Sequence, residues 1–147
     1  MMKTLTPFIL GMLACAAITL AIVVGATAQG AGSGKGRLFI TVTTDDPWAN
    51  EMAISYAETT KSRGYDVTLF YQVRGVRTAA KKVPSGLAEA QQRLRKAMSR
   101  GIEVYVCGMC STRAGITPMS GWIEGTKPGD PGMVDKMMDL GTKVMSY

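Results

Sequence analysis

Alternation of apolar β-type segments with amphipathic helical segments is the feature that most constrains the fold of this chain. Apolar, β-branched runs occur at residues 37–43, 66–71, 102–106 and 142–146, and helical patterns separate them. Such alternation is typical of a parallel sheet whose strands are joined by crossover helices. We therefore predict an α/β fold: a single three-layer domain with a mainly parallel sheet flanked by helices, in a flavodoxin-like topology.

The first predicted helix has clear start and stop signals. Asp46 is a good N-cap, Pro47 suits the first helical position, and the helix should continue to about Arg63, where Gly64 ends it. Its larger side chains recur at helical spacing, which favours a core-facing stripe. The residues expected in the core from this helix are Trp48, Met52, Tyr56 and Thr59, with Ala49, Ala53 and Ala57 beside them.

Two further helices are predicted in the second half of the chain. Residues 87–100 show helical spacing of apolar side chains and are closed by Gly101, and residues 133–140 form a shorter helix. The intervening segment 117–132 is rich in glycine and proline. We predict it to be a loop around a short helical turn.

The first 28 residues have the pattern of an export signal. Lys3 gives a positive start, residues 8–24 are apolar, and Ala26-Thr27-Ala28 is a small-x-small cleavage site. We predict a signal peptide at 1–28, a flexible glycine-rich leader at 29–36 and one domain at 37–147, in a periplasmic or secreted protein. The apolar run is also just long enough to span a bilayer, so an uncleaved membrane anchor facing the periplasm is the alternative.

The charge balance and the absence of histidine limit the function classes. The chain has 17 Lys and Arg, 11 Asp and Glu and no His, with a net charge of +6. Without histidine, Ser–His and Cys–His nucleophile pairs are excluded. The charge favours acidic partners or anionic small molecules, but no arginine-rich run or aromatic RNA motif supports a nucleic-acid partner. A basic stretch from Arg74 to Lys82 could attract an anion, although a solvated loop is the commoner explanation.

The dithiol Cys107-Gly108-Met109-Cys110 follows the third predicted strand. Sites in parallel α/β sheets form at the carboxyl ends of strands, where unpaired backbone N–H groups stabilise a thiolate and lower its pKa. Arg113 would add positive potential. We therefore predict Cys107 as the reactive thiol and Cys110, one helical turn further on, as the thiol that resolves it.

Other interpretations of the dithiol stay open. A structural zinc site needs four ligands, which two cysteines could supply only by dimerisation. A structural disulfide suits an exported protein, although so short a loop stabilises little. Nearby methionines could help to hold Cu(I), but methionine at helical spacing is more often core. We predict no metal and no cofactor.

The segment Val106-Cys107 followed by Arg113-Ala114-Gly115-Ile116 resembles the active-site segment of DsrE/DsrF-like sulfur-relay proteins, including the TusD branch. The resemblance extends over residues 37–147. Three other segments are similar to the family in the same order: 43–47, 64–70 and 139–147.

The resemblance implies that Cys107 carries sulfur as a persulfide and passes it to a partner, within a homo- or hetero-oligomer such as a trimer or hexamer. Arg113, Thr44 and Trp122 are the predicted substrate-binding residues around it. Cys110 and the export signal depart from the basic pattern of the family. Together these features predict an exported protein that carries or reduces sulfane sulfur on Cys107, with Cys110 as resolving thiol, and that is of the sulfurtransferase type if it is catalytic.

The donor or acceptor would be a protein or a small sulfane-sulfur compound. Two alternatives remain at this stage. One is a non-catalytic binding or assembly subunit with a structural Cys107–Cys110 disulfide. The other is a thiol–disulfide oxidoreductase.

Overall fold

A computed structural model describes residues 34–147, and the predicted signal at 1–28 lies outside them, as does most of the predicted leader. Two short 3-10 helices, Gly75–Arg77 and Ser85–Leu87, join the second strand to the second helix. No helix in the described part is long and apolar enough to cross a membrane. The main elements in chain order are β1 (Arg37–Val42), α1 (Pro47–Ser62), β2 (Asp66–Tyr71), α2 (Ala88–Ser99), β3 (Glu103–Cys107), α3 (Gly108–Arg113), β4 (Lys127–Gly129), α4 (Gly132–Met138) and β5 (Thr142–Ser146).

The strands form one sheet in the order β4-β3-β2-β1-β5, and every pairing in it is parallel. Side chains alternate between its faces. Leu38 and Ile40 join the main core with residues of α1 and α2, whereas Phe39 packs with Met133 of α4 on the other face. The predicted α/β fold class is confirmed, with helices on both faces of a parallel sheet.

Helix α1 begins and ends where its sequence signals predict, but its buried face agrees only in part with the predicted one. The Asp46 carboxylate accepts a hydrogen bond from the Ala49 N–H at 2.8 Å, and Gly64 follows the helix with a φ of +85°. The predicted core positions of Trp48, Met52, Tyr56 and Thr59 are wrong, because Trp48 is 76% exposed and the other three are also exposed. Ala53 and Ala57 are buried as predicted. The helix buries a narrower stripe instead: Asn50, Ala53, Ile54 and Ala57.

The hydrogen bonds of Asn50 explain which face of α1 is buried. Its Nδ2 donates to the carbonyl oxygens of Thr44 at 3.0 Å and Asp46 at 2.8 Å, and its Oδ1 accepts from the Thr78 hydroxyl at 2.8 Å. A buried amide satisfied in this way fixes this face of the helix against the segment that follows β2. Ala53 and Ala57 on the same face are small, so the helix can pack closely against the core. The large side chains of Trp48, Met52 and Tyr56 are on the exposed face.

Strand β4 also differs from the prediction. Residues 127–129 pair with 105–107, within the segment predicted as a loop. A Cβ at Gly129 would lie 2.5 Å from the Phe70 ring, so glycine permits this close pairing. Lys35 and Gly36, assigned to the flexible leader, contact the domain: Lys35 Nζ donates to the Arg63 carbonyl, and the Gly36 carbonyl accepts from the Asp66 N–H.

The observed face of α1 predicts opposite effects of two substitutions in the same helix. Ile54→Ala should lower the free energy of unfolding by about 2–5 kcal/mol, because Ile54 is fully buried. Trp48→Ala should change it by only about 0.5 kcal/mol, because Trp48 is largely exposed. Urea unfolding measures both. A loss for Trp48→Ala as large as that for Ile54→Ala would contradict the observed helix orientation.

Candidate functional site

Cys107 is the last residue of β3 and the N-cap of α3. The strand lies between β2 and β4, with Val106 opposite Tyr71 and Cys107 opposite Gly129. The Cys107 Sγ accepts a hydrogen bond from the Cys110 N–H at 3.2 Å, so the thiol itself caps the helix. The dithiol therefore occupies the carboxyl edge of the sheet, where binding sites of parallel α/β folds form.

Burial and the second thiol set the protonation of Cys107. Both cysteines are free thiols, half-buried and packed against the main core. Burial raises the pKa of Cys107 above its ordinary value, and the Cys110 thiol raises it further; the backbone N–H groups of Cys110 and Met109 lower it by less. The predicted lowering of this pKa is wrong, since removal from water outweighs the amide donors.

A chain of hydrogen bonds supports the backbone of Cys107 from inside the protein. Trp122 Nε1 donates to the Ser111 Oγ at 2.9 Å, and the Ser111 hydroxyl donates to the Cys107 carbonyl at 2.9 Å. Ser111 is fully buried and Trp122 is only 2% exposed. Trp122 therefore supports the backbone of Cys107 through Ser111, and its contact with substrate stays a prediction.

Ser111 was not singled out by the sequence analysis. A serine four residues after Cys107 can return a hydrogen bond to the preceding turn of a helix. That local spacing is visible in the sequence, whereas the partnership with Trp122 depends on the fold of the 117–126 segment. The segment is held by two backbone hydrogen bonds to the 79–81 region: Ile123 N–H to the Ala79 carbonyl and Lys81 N–H to the Gly121 carbonyl.

Arg113 lies at the end of α3 and is exposed. Within the described part of the chain it makes no ion pair, and it is not among the groups that move the pKa of Cys107. Its guanidinium is therefore available to a solute at this edge, but it does not hold the resting thiol in its ionised form.

Thr44 lies in the turn between β1 and α1, and its side chain is used locally. Its Oγ1 accepts a hydrogen bond from the Asp46 N–H at 3.0 Å. Strand β2 separates β1 from β3, which places their axes roughly 10 Å apart, twice the spacing of about 4.8 Å between neighbouring strands. The structure thus brings Thr44 to the same edge as the dithiol but not next to it.

The basic stretch lies between these two turns. Arg74 and Arg77 both pair with Asp45, at 3.3 and 2.8 Å, and the 3-10 helix that contains Arg77 packs against α3. A Cβ at Gly75 would lie 2.2 Å from the Val42 carbonyl oxygen, so glycine permits the segment to cross the end of β1. The basic stretch, for which a solvated loop was the commoner explanation, thus belongs to the carboxyl edge.

Among residues 34–147, no cluster of three or more His, Cys, Asp or Glu side chains could hold a metal ion. The dithiol offers two sulfur ligands only. Its chemistry is therefore that of a pair of neighbouring thiols, one of which caps a helix.

Comparison with known proteins identifies a family and a similar fold. Residues 37–147 match the model of the DsrE/DsrF-like family. The fold is similar to the crystal structure of the ychN protein from E. coli, with a TM-score of 0.62 at 16% identity over 77% of this chain and 99% of that one. It is also similar to the conserved protein BT1422 from Bacteroides thetaiotaomicron, with a TM-score of 0.59 at 20% identity over 80% and 100% of the two chains. No curated protein matches the sequence.

The causes of the raised pKa predict the effect of removing the second thiol. Cys110→Ala should lower the pKa of Cys107, because the Cys110 thiol raises it while the amide at position 110 still donates to the sulfur. The pH dependence of iodoacetamide labelling, followed on the peptide that contains Cys107, gives the value. A pKa in the unsubstituted protein below the free-cysteine value of about 8.5 would contradict the dominance of burial.

The buried hydrogen bonds predict coupled stability losses. Ser111→Ala should lower the free energy of unfolding by about 1–3 kcal/mol, because it leaves the Trp122 N–H and the Cys107 carbonyl without this partner. Combined with Trp122→Phe, the loss should be smaller than the sum of the single losses. Urea unfolding measures these losses. The control is Thr112→Ala, which alters an exposed neighbouring residue. Strictly additive losses would show that the two side chains do not act together.

Proposed function

Because this chain belongs to the DsrE/DsrF-like family, we propose that it carries sulfane sulfur as a persulfide on Cys107 and does so outside the cytoplasm. The family supports a role in sulfur relay with partner proteins in general terms. The single observation that carries the finer proposal is the placement of Cys107, a half-buried thiol at the carboxyl end of β3 with a second thiol against it. The signal-like pattern of residues 1–28 supports export.

Formation of the persulfide, which we call loading, needs the thiolate of Cys107 and a donor with a labile sulfur. With thiosulfate, the thiolate attacks the outer sulfur, the bond between the two donor sulfurs breaks, and sulfite leaves with the bonding electron pair. The product is a persulfide on Cys107, and no external oxidant or reductant is consumed. The exposed Arg113 would attract such an anion. Because the pKa of Cys107 is raised, loading should accelerate as the pH rises.

Cys110 gives the persulfide a second fate. Its thiolate can attack the inner sulfur, which is the original Sγ of Cys107, and expel the outer sulfur as hydrosulfide. The sulfane sulfur gains two electrons and the two cysteines lose them as they form a disulfide. A thiol-disulfide partner must then reduce that disulfide before another cycle. The reaction of Cys110 therefore determines whether the protein passes its sulfur on or releases it as hydrosulfide.

The loading step predicts a mass change that depends on Cys107. Reduced full-length protein incubated with thiosulfate or polysulfide should gain one sulfur atom in intact-mass spectrometry, and Cys107→Ser should gain none. Cys107→Ser also controls for Cys15, which it retains. Cys110→Ser should keep the added sulfur longer than the unsubstituted protein, because the resolving thiol is missing.

If neither the unsubstituted protein nor Cys110→Ser gained sulfur from thiosulfate or polysulfide, the proposed carrier role of Cys107 would be contradicted. If the dithiol also resisted mild reductant after oxidation, the result would favour the binding or assembly subunit with a structural disulfide. Disulfide exchange without sulfur loading would favour the thiol–disulfide oxidoreductase.

A further inference from the structure

A surface groove of about 420 Å³ lies away from the dithiol. Gly36, Tyr65 and Gly141, which line one end of it, immediately precede β1, β2 and β5. Because these strands are parallel, that end of the groove lies at the amino edge of the sheet, opposite the carboxyl edge that carries Cys107. The volume of the groove is in the range of small-molecule sites. The groove is therefore a candidate site separate from the dithiol.

The groove exists because α1 leaves the edge strand uncovered. The helix packs against β1 and β2, whereas β5 is the last strand of the sheet. Lys143 and Met145 of β5 lie opposite Leu38 and Ile40, which belong to the main core on the α1 side of the sheet. Lys143 and Met145 therefore face the same side as the helix, and they line the groove together with Leu38 and with Tyr56 of α1.

Apolar and aromatic side chains form much of the lining. Leu38 belongs to the main core and Met145 packs against it, while Tyr56 and Tyr65 are exposed. A tyrosine ring offers an apolar face with a polar hydroxyl, and the methionine thioether makes favourable contacts with aromatic rings. An aromatic ring is thus the ligand body that this lining fits best.

Three cations line the same groove: Lys35, Arg37 and Lys143. Among residues 34–147, no carboxylate side chain lines it. Lys143 is exposed and forms no ion pair within the part of the chain that the structure describes. The Lys35 Nζ donates to the Arg63 carbonyl oxygen at 3.3 Å, which leaves its charge without an ionic partner in that same part. The groove therefore favours an anion.

The carboxylates nearest the lining in the sequence are already paired. Glu58, Asp66 and Asp139 are the acidic residues within two positions of a lining residue. Asp139 accepts hydrogen bonds from Arg37 at 3.1 Å and from the Gly141 N–H at 2.9 Å, so it positions one cation of the groove and partly neutralises it. Glu58 and Asp66 form ion pairs with cations that border no part of this groove's lining: Arg93, Arg100 and Lys61. Lys35 and Lys143 thus keep an excess of positive charge there.

We propose that this groove binds a small aromatic carboxylic acid. The carboxylate lies among Lys35, Arg37 and Lys143, and the ring lies against Tyr56 and Met145. Charge complementarity orients the ligand, while burial of its ring against the apolar lining adds affinity. Binding involves no covalent step and does not depend on a persulfide, so it goes beyond the proposed function of Cys107.

The test follows methionine methyl groups by NMR in full-length protein that is isotope-labelled at those groups. The probe is naphthoate, and the control ligand is naphthylmethanol, which keeps the ring but has no charge. Naphthoate should shift the Met145 resonance, assigned with Met145→Leu, in a saturable way and leave the Met109 resonance beside the dithiol unchanged. The alcohol should bind about tenfold more weakly, and high salt should reduce this difference.

Substitutions separate the charge of the groove from its aromatic lining. Lys143→Glu should weaken binding of naphthoate about tenfold and leave binding of the alcohol unchanged. Tyr65→Ala should weaken binding of both ligands severalfold, because it removes an aromatic side chain from the lining. The matched controls Lys82→Glu and Trp48→Ala alter an exposed cation and an exposed aromatic residue outside the lining and should leave both affinities unchanged.

Several results would overturn the proposal. One is the absence of a saturable Met145 shift at millimolar naphthoate, and another is equal affinity for the acid and the alcohol. A shift of the Met109 resonance with Met145 unchanged would place the anion at the dithiol edge instead. Equal losses of affinity in Lys143→Glu and Lys82→Glu would show that the net charge of the protein, and not this groove, attracts the acid.

Discussion

The parallel pairing of β1, β2 and β3 is the constraint on which the site depends. It directs three strand ends to one edge, so that the basic stretch after β2 lies between the turn after β1 and the dithiol after β3. Buried side chains hold the register: Ile40, Leu69 and Val104 are at most 1% exposed. Strand β4 then closes the far side of β3, at the position where Gly129 lies opposite Cys107.

Burial gives the dithiol its chemical character. Burial raises the pKa of Cys107, so a smaller fraction of this thiol is ionised at a given pH than of a free cysteine. The Cys110 N–H and Ser111 fix the sulfur and the carbonyl of Cys107 in one orientation. Such a site suits a carrier that should react with selected anionic donors and a docked partner, because selectivity then comes from positioning rather than from a permanently ionised sulfur.

Local signals in the sequence predicted much of this fold. The Asp46 cap, Gly64 and Gly101 mark helix ends, and the apolar runs of β1 to β3 mark buried strands, because each acts over a few residues. The orientation of α1 could not be found in that way. It depends on Asn50 meeting Thr78, which is 28 residues away. Strand β4 is three residues long and includes Pro128 and Gly129, so it carries no strand periodicity to detect.

In the candidate site too, local sequence predicted the position of Cys107, whereas features that depend on tertiary packing could not be predicted. The position of Cys107 at a strand end followed from the apolar run before it. Its pKa could not be predicted, because burial and the amide donors act in opposite directions and only the packing decides between them. Trp122 was predicted to bind substrate, but its hydrogen bond to Ser111 depends on how residues 117–126 fold back.

The central claim is that Cys107 carries a sulfane sulfur that Cys110 can release. Its most direct test is to load the full-length protein without oxygen, remove the donor, and measure released sulfide and remaining free thiols in the same sample. We expect one sulfide for each Cys107–Cys110 disulfide formed in the unsubstituted protein, and no sulfide from Cys110→Ser until an external thiol is added. Equal retention of sulfur by both proteins, or disulfide formation without sulfide, would contradict the account.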